Sequence, residues 1–549
     1  MNENGKVFFA KKGNENGLTE SIYLNPQMAN RHGFICGATG TGKSVTLKVL
    51  AESFSAMGVP TFFSDVKGDM AGIGKEGEDS EKMQERLTRF DIKDSFRYRG
   101  FPMTIYDIYG ESGIPLRTTI SEMGPQLLSQ ILELNDTQSD LLTVSFKIAD
   151  DRNLLLYDTK DLKALLTHIS DNAAEFKDDY GHIAPTSMAT IIRAIVALEA
   201  EGADRFFGEP AIDIGDFFSL DGEGFGMVNV LASEALVNRP RLYSAFMLYL
   251  LSELFETMPE VGDQEKPKIV FFFDEAHLLF NNASKALLEK IEQVVKLIRS
   301  KGVGIFFVTQ SPGDIPDGVM AQLGNKIEHG LRAYTPAEQK VVKAAADSFR
   351  ANPEFDTAEL MQNLGTGEAV VSVLEENGAP SVAQHAYILP PSSSMGAITP
   401  EEREGFIKNS PLFTKYGSMV DSESAYEVLG RDKEKTKEES TEKPAETAAD
   451  KTAEAAAEKP KKKSKKRPQA EGFSGGKARD GRSSGAPKQG KQSDLTKLKK
   501  SVASTTGSTV GREIGKVVGE AVLGKKGRTL GGNIGSTIGR NLLGTLAKR

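Results

Sequence analysis

Short apolar runs alternate with amphipathic stretches along most of the chain. The runs that predict strands are rich in β-branched and aromatic residues and end at polar or turn residues: 7–9, 22–24, 34–36, 59–63, 103–106, 226–231, 268–273 and 304–309. Apolar residues three and four positions apart predict helices over 45–56, 242–258 and 283–301, and a largely helical segment over about 117–203. Strands that are apolar at successive positions must be covered on both faces. The pattern predicts an α/β fold with a mostly parallel sheet and a helical insertion.

A glycine-rich stretch separates the apolar run 34–36 from the first predicted long helix. Its residues are Gly37, Ala38, Thr39, Gly40, Thr41, Gly42, Lys43 and Ser44. This is the P-loop pattern, in which backbone N–H groups turn inward, Lys43 reaches the β- and γ-phosphates and the Ser44 hydroxyl ligates Mg²⁺. The N-terminus of the following helix adds further N–H groups and a partial positive charge. We interpret the stretch as a nucleoside triphosphate site; the alternative is a glycine-rich surface turn.

Two carboxylates end the most apolar of the predicted strands. Asp274 and Glu275 follow the run 268–273 directly. In a nucleotide hydrolase one such carboxylate holds the Mg²⁺ shell and the next polarises the attacking water, which are the roles we assign to Asp274 and Glu275. Acidic residues also end strands that face solvent, but a P-loop upstream favours the catalytic interpretation. His277 completes the letters Asp-Glu-Ala-His; because the other motifs of the helicase class named for that box are not evident, we interpret it as a supporting residue.

Five other polar residues are weaker candidates. Gln310 ends the run 304–309 and could sense the γ-phosphate or the lytic water, or be an ordinary strand-end amide. Arg299 and Arg332 lie where a guanidinium could reach the nucleotide of a neighbouring subunit, or could be surface residues. Asp65 and Asp69 follow a predicted parallel strand, so they belong either near the ligand edge of the sheet or in a solvated turn.

Composition places these elements in a large protein. The chain has 549 residues, 39% of them hydrophobic, and the single cysteine, Cys36, cannot form an intramolecular disulfide. We expect Cys36 to be a small buried residue at the end of the first strand of the core. No apolar stretch of signal-peptide length begins the chain, and no uncharged apolar run reaches about 18 residues. A cytoplasmic location is therefore expected.

The charge is divided unevenly along the chain. The net charge is −8, yet residues 459–549 carry 23 Lys and Arg against 5 Asp and Glu, so the residues before them are strongly acidic. Residues 421–500 contain almost no large apolar side chains, and we expect a disordered charged linker there. The basic block 459–467 suits a phosphate backbone or an anionic membrane surface, or merely solubilises the linker.

The last residues contain an internal repeat. Apolar-glycine pairs recur every four residues: 510–511, 514–515, 518–519, 530–531, 534–535 and 538–539. On a helix this period lines the glycines into one stripe that favours close backbone packing. We therefore divide the chain into an ATPase domain at 1–420, the linker at 421–500 and a basic glycine-repeat helical tail at 501–549, which would self-associate or contact a membrane peripherally. A disordered glycine-rich end is the alternative.

Together these motifs resemble the HerA/FtsK superfamily of motor ATPases, and within it the bacterial YjgR-type branch of HerA-like helicases. The similarity covers roughly residues 20–395, with the P-loop, the 269–275 strand and the Gly-Val-Gly-Ile…Thr-Gln-Ser-Pro stretch at 302–312. The resemblance implies a P-loop NTPase fold of the RecA-like (ASCE) type, ATP and Mg²⁺ as cofactors and a hexameric ring that translocates duplex DNA. It also implies that Arg299 is a trans-acting arginine finger. One departure is the short stretch before the P-loop, which is too small for the β-barrel domain that begins HerA proper.

The function expected from the sequence is Mg²⁺-dependent ATP hydrolysis by a ring motor that translocates or unwinds DNA. No zinc spacing, sequence-reading module or base-stacking motif is recognisable, so contact with DNA should be directed at its backbone and sensitive to salt. Two alternatives remain: a nucleotide-gated, membrane-associated assembly scaffold, and a motor that acts on a protein substrate.

Overall fold

The structure is a computed structural model that describes residues 2–3, 5–14, 17–262, 264–281 and 285–431. The predicted glycine-repeat tail at 501–549 and most of the predicted linker at 421–500 lie outside these residues.

The described strands form one sheet. Their bounds are β1 Asn2–Glu3, β2 Lys6–Asn14, β3 Gly17–Leu24, β4 Gly33–Cys36, β5 Thr61–Asp65, β6 Met103–Asp107, β7 Ile114–Pro115, β8 Val228–Ala232, β9 Ile269–Phe273, β10 Val303–Thr309, β11 Asn325–His329, β12 Glu368–Ser372 and β13 Gln384–Ile388. The order across the sheet is β1-β2-β13-β12-β11-β4-β10-β9-β5-β8-β6-β7, and β3 pairs with β2. From β11 to β7 all neighbours are parallel, and the pairs among β1, β2, β3, β13, β12 and β11 are antiparallel.

The centre of the sheet is apolar on both faces. On one face the Phe272 ring stacks on Phe63, with centroids 4.7 Å apart, and meets Phe54 of the helix after the P-loop at 6.5 Å. On the other face Phe273 stacks on Phe307 at 5.5 Å. Both layers are fully buried, which is why successive positions of β9 are apolar. The predicted fold class, a P-loop type of α/β fold with a mostly parallel sheet, is confirmed.

Helices cover both faces. They are α1 Lys43–Ala56, α2 Glu81–Arg89, α3 Ile120–Ile131, α4 Asp136–Asp151, α5 Thr159–Asp171, α6 Ala173–Tyr180, α7 Pro185–Glu199, α8 Ala203–Phe206, α9 Pro240–Thr257, α10 His277–Phe280, α11 Lys285–Ile298, α12 Asp317–Met320, α13 Pro336–Asp347, α14 Thr357–Asn363, α15 Pro400–Asn409 and α16 Pro411–Tyr416. Helices α3 to α8 fill the stretch between β7 and β8, where the helical periodicity lies. Thr119, Asn135 and Asp158 each begin a helix there with a capping box.

Within the described residues, no single helix has both the length and the apolar character needed to cross a membrane. The helices α6 and α7 meet these requirements only as a pair, and they are bent by 102° to each other.

Ordered structure continues past the predicted domain boundary at 420. Residues 425–431 are helical, and Ala425 and Leu429 are buried. The Ala425 N–H donates to the Leu155 carbonyl at 2.9 Å, and the Ser424 hydroxyl bonds to the Asp161 carboxylate. Composition could not reveal this, because two apolar side chains four positions apart suffice to dock one helical turn on the insertion.

Candidate active site

The carboxyl ends of the central parallel strands meet at one edge of the sheet, and the candidate residues follow them. The P-loop follows β4, Asp274 and Glu275 follow β9, and Gln310 follows β10. Parallel β-sheets place ligands at this edge because every strand of the set ends there. The strand order therefore brings together residues as far apart in the chain as Thr39 and Gln310, which are separated by 271 positions.

Two glycines of the P-loop are required by its geometry. Gly37 has φ of 150°, and a Cβ there would lie 2.5 Å from the Cβ of His329. Gly42 has φ of 120°, and a Cβ there would lie 3.2 Å from the Cα of Gly367. Both positions combine a left-handed backbone with close packing, so only glycine fits without strain. The loop is thus seated against the turns that flank β11 and β12.

Lys43 lies inside the P-loop. Its ammonium donates to the carbonyls of Gly37 at 2.5 Å and Ala38 at 3.1 Å, and its side chain is nearly buried. Burial, together with the charge of Lys67, lowers the pKa of Lys43. An ammonium held by two carbonyl groups is poised to exchange them for phosphate oxygens, which are stronger acceptors.

A lysine that the sequence analysis did not single out lies between the two carboxylates. The Lys67 ammonium is 2.6 Å from Glu275 Oε1 and 3.6 Å from Asp274 Oδ2. Lys67 lies two residues after the end of β5, which pairs with β9, so its position at this edge was readable from the strand order. A lysine after a strand is so common at protein surfaces that its residue type gave no signal.

Burial and mutual charge shift the pKa values of Asp274, Glu275 and Lys67 in different directions. Burial raises the pKa of Asp274, and Lys67 offsets only part of that effect. Burial alone would raise the pKa of Glu275 as well, but its hydrogen bonds from Lys67 and Gln310 outweigh burial and hold its pKa below the ordinary value. Burial opposes the charge of Lys67, yet both carboxylates together raise its pKa. Glu275 is therefore ionised at neutral pH.

Gln310 joins the P-loop to Glu275. Its amide Nε2 donates to Glu275 Oε1 at 3.0 Å and Oε2 at 3.2 Å, while its Oε1 accepts from the Thr39 hydroxyl at 3.3 Å. His277 Nδ1 lies 3.3 Å from Glu275 Oε2, in the supporting position expected for it. Glu275 has φ of 48°, a left-handed conformation that is uncommon for non-glycine residues.

Asp65 shapes the turn that carries Lys67. Its carboxylate accepts from the backbone N–H groups of Lys67 at 3.2 Å, Gly68 at 2.8 Å and Met70 at 3.0 Å. The solvated-turn alternative is wrong for Asp65, whose side chain is 1% exposed. Burial, followed by the charge of Asp69, raises the pKa of Asp65 to about 7.

The family model described as helicase HerA-like C-terminal matches residues 11–528. The chain belongs to this HerA-like family. The predicted membership of the HerA/FtsK superfamily is confirmed, and the predicted enzyme class, a P-loop ATPase, agrees with it.

Curated relatives carry the same family name. The chain is 23% identical over 360 residues to the DNA double-strand break repair helicase HerA of Sulfolobus acidocaldarius, a match that covers 64% of this chain and 63% of that protein. It is 22% identical over 366 residues to the protein of the same name from Sulfurisphaera tokodaii, covering 65% of each. The HerA-like chain thus spans slightly less than two thirds of the length of these relatives.

Solved structures are similar at a lower level. The bacterial conjugative coupling protein TrwB matches with a TM-score of 0.45 and 15% identity, over 67% of this chain and 87% of that one. VirB4 of Thermoanaerobacter pseudethanolicus matches with a TM-score of 0.43 and 17% identity, over 70% and 97%. Similarity at this level adds nothing to the assignment.

The two candidate arginines of this HerA-like chain lie at opposite edges of the sheet. Arg299 is in the turn before β10, at the amino ends of the parallel strands, and its charge adds to the burial that lowers the pKa of His32 to about 4. Arg332 is exposed and follows Gly330, whose carbonyl accepts from the P-loop amide of Ala38 at 3.0 Å. Arg299 is therefore not brought to the P-loop of its own chain.

The donor set suits Mg²⁺ bound with a nucleotide. Ser44 in the first turn of α1 and Asp274 would supply oxygen ligands, and Mg²⁺ in such sites takes one or two protein ligands and completes its shell with phosphate oxygens and water. Among the described residues no cluster of three or more His, Cys, Asp or Glu could hold a metal. The Lys67 ammonium already lies 2.6 Å from Glu275 and 3.6 Å from Asp274, so a cation is accommodated beside this pair.

Proposed function

We propose that this chain hydrolyses ATP with Mg²⁺ as a motor of the HerA/FtsK type, and that its subunits assemble into a ring, a hexamer by resemblance, that translocates or unwinds duplex DNA. The observation that carries the proposal is the hydrogen-bonded path from Thr39 through Gln310 to Glu275. This path couples the loop that holds phosphates to the carboxylate that handles water.

The geometry supports a proposed role for each residue. The P-loop amides and Lys43 bind the phosphates, and Ser44 and Asp274 would hold Mg²⁺, which neutralises charge on the phosphate oxygens. Glu275, kept ionised by its neighbours, orients the attacking water and accepts its proton. Gln310 changes partners when a γ-phosphate is present and so reports the nucleotide state to the residues that follow β10.

A ring and a nucleic acid substrate are the finer part of the proposal. Arg299 at the far edge suits a head-to-tail contact in which one subunit completes the site of the next. The relatives named DNA double-strand break repair helicase favour duplex DNA as the substrate. We further propose a cytoplasmic location and contact with the DNA backbone, whose affinity falls as salt rises because counterions are released on binding.

The test is steady-state ATPase activity of the full chain, with and without long duplex DNA, at low and moderate salt. The Glu275→Gln variant, which keeps the shape of the side chain and removes its basicity, is the blank. We expect activity that DNA stimulates several-fold and that loses this stimulation as salt rises.

Two results would contradict the proposal at different levels. Equal activity of the wild type and the Glu275→Gln variant would remove the hydrolytic mechanism. Activity that depends on Glu275 but ignores DNA at every salt concentration would keep the ATPase and reject DNA as its substrate, leaving a protein substrate or an assembly scaffold.

A further inference from the structure

A cavity opens beside the P-loop, and neither Asp274 nor Glu275 lines it. It has a volume of about 560 Å³, and Gly42 and Val45 form part of its wall. Ligand pockets in proteins have volumes of roughly 300–1,000 Å³. Since Gly42 precedes α1 and Val45 lies in its first turn, the cavity begins where the phosphate-binding amides of the loop end.

The wall of the cavity is mainly apolar, and its charged groups are Glu78, Lys82 and Arg86. The side chains that supply flat or flexible apolar surface are Val45, Met83, Pro390, Pro391 and Met395. Arg86 lines the same cavity, and its guanidinium carbon lies 5.4 Å from the Phe90 ring centroid. Methionine and proline side chains pack against planar rings, and the planar guanidinium of an arginine stacks on such rings. This lining suits a flat heteroaromatic ring.

Helix α1 fixes one wall of the cavity. The buried Glu52 carboxylate accepts from the backbone N–H groups of Ser392 at 2.8 Å and Ser393 at 3.0 Å. One turn earlier, the Lys48 ammonium donates to the Ser394 carbonyl at 2.7 Å. The 390–396 loop is therefore tied to the helix whose N-terminus the P-loop forms. Because one helix positions both, the P-loop and the cavity keep a constant separation.

The opposite wall is tied to the P-loop as well. Arg86 donates to the Ile388 carbonyl at 2.5 Å, and Gly367, next to it, donates its N–H to the Thr41 carbonyl at 2.8 Å. A Cβ at Gly367 would lie 2.8 Å from Arg86 Nη2, so the guanidinium closes directly over this glycine. The cavity is built before any ligand arrives, as expected of a specific site.

We propose that this cavity binds the nucleoside part, base and ribose, of the nucleoside triphosphate whose phosphates lie in the P-loop. The inference rests on the proposed function. A triphosphate held by the loop amides ends at its α-phosphate near the first turn of α1, and the cavity wall starts there. The base lies between Met83, Met395 and the two prolines, with Arg86 against its face or edge.

The test compares two ligands that share the phosphates and differ in the nucleoside. Titration calorimetry of the full chain with MgATP and with magnesium tripolyphosphate measures both affinities. The cavity variant is Met83→Ala combined with Met395→Ala, because Met395 is exposed and alanine is a good helix former at 83. The control is Met419→Ala, an exposed methionine outside the cavity lining.

We expect the wild type and the control to bind ATP at least about tenfold more tightly than tripolyphosphate, a difference that corresponds to roughly 1.4 kcal/mol. The cavity variant should lose most of this preference while its affinity for tripolyphosphate stays unchanged. Equal binding of both ligands by the wild type, or equal weakening of both in the variant, would overturn the nucleoside pocket and leave the P-loop site intact. Binding of neither ligand by the wild type would overturn the pocket and the proposed function together.

Discussion

The two sides of the P-loop differ in the chemistry of their side chains. The reaction side is polar and mostly charged, and consists of Lys67, Asp274, Glu275 and Gln310. The nucleoside side is mainly apolar and consists of Val45, Met83, Arg86 and the 390–396 loop. The charged groups of the reaction side are positioned by ion pairs and hydrogen bonds to one another. The apolar wall is positioned by hydrogen bonds from α1. The difference teaches that turnover and affinity can be changed separately in this chain.

The largest expected effects distinguish the residue that catalyses hydrolysis from the residue that binds the phosphates. Glu275→Gln should lower ATP turnover by about 10²–10⁴-fold, because the amide cannot accept the proton of the attacking water, while ATP affinity stays near that of the wild type. Lys43→Ala should instead weaken ATP binding itself, because the loop loses its only inward-facing side-chain charge. Calorimetric binding and steady-state turnover, measured on both variants, check this distinction.

If Glu275→Gln lost ATP binding to the same degree as Lys43→Ala, the separation of catalysis from phosphate binding would be wrong. Circular dichroism of both variants controls for misfolding. The Met83→Ala and Met395→Ala double variant tests the nucleoside side in the same two measurements. Its ATP affinity should be lowered, as in Lys43→Ala, whereas its turnover at saturating ATP should match that of the wild type.

A smaller effect is expected at Lys67. In the Lys67→Met variant the two carboxylates face each other without an intervening cation, so the chain free of metal should lose about 1 kcal/mol of stability, a modest figure because the Lys67 side chain is 38% exposed. Millimolar Mg²⁺ should raise the melting temperature of the variant more than that of the wild type, since no ammonium competes for Asp274. Thermal unfolding with and without Mg²⁺ measures both changes.

Identical responses of the two proteins to Mg²⁺ would show that Lys67 does not compete with the cation. Lys75→Met is the matched control, since Lys75 pairs with Glu402 at 2.6 Å and has the same 38% exposure.

A further effect concerns the pH dependence of stability and the nucleoside side. Burial raises the pKa of Glu52 from 4.5 to about 7, although hydrogen bonds from Ser392 and Ser393 oppose it. The folded chain thus keeps a proton that the unfolded chain loses, so the contribution of Glu52 to stability is complete below pH 4.5 and falls as the pH rises to about 7. Glu52→Gln should flatten this dependence, by at most on the order of 3 kcal/mol.

Urea unfolding at pH 5 and pH 8 measures that dependence. The variant also loses an acceptor for the 390–396 loop, which costs about 1–2 kcal/mol at either pH. At pH 8 the wild type additionally carries the cost of the buried, ionised Glu52 carboxylate, so the variant should be less stable than the wild type at pH 5 and closer to it, or above it, at pH 8. Other buried carboxyls, such as Asp65, titrate alike in both proteins and cancel in the comparison. Equal pH slopes for the two proteins would refute the assignment.

The reaction side could largely be predicted from the sequence. The P-loop, Asp274 and Glu275, and Gln310 are each marked within a few residues, because a buried strand ends abruptly at a polar group. Parallel strand direction then places all of them at one edge. Lys67 was missed because a lysine after a strand looks like any surface lysine until the strand order puts β5 beside β9.

The nucleoside side could not be predicted in the same way. Gly42, Arg86, Gly367 and Met395 are separated by long stretches of chain and follow no shared pattern. The antiparallel addition of β12 and β13 to the sheet brings them together. Glu52 was equally hidden, since a glutamate in a helix is expected to face solvent and its burial depends on a loop 340 residues away.

Arg299 at the far edge of the sheet has a consequence for mixtures of damaged subunits. If this arginine serves the neighbouring site, Lys43→Ala and Arg299→Ala are each inactive alone, but they are damaged in different halves of a shared site. A mixed assembly places an intact Arg299 beside an intact P-loop at some of its contacts. Mixing the two inactive variants should therefore restore ATPase activity. A site formed entirely within one chain would not show this recovery.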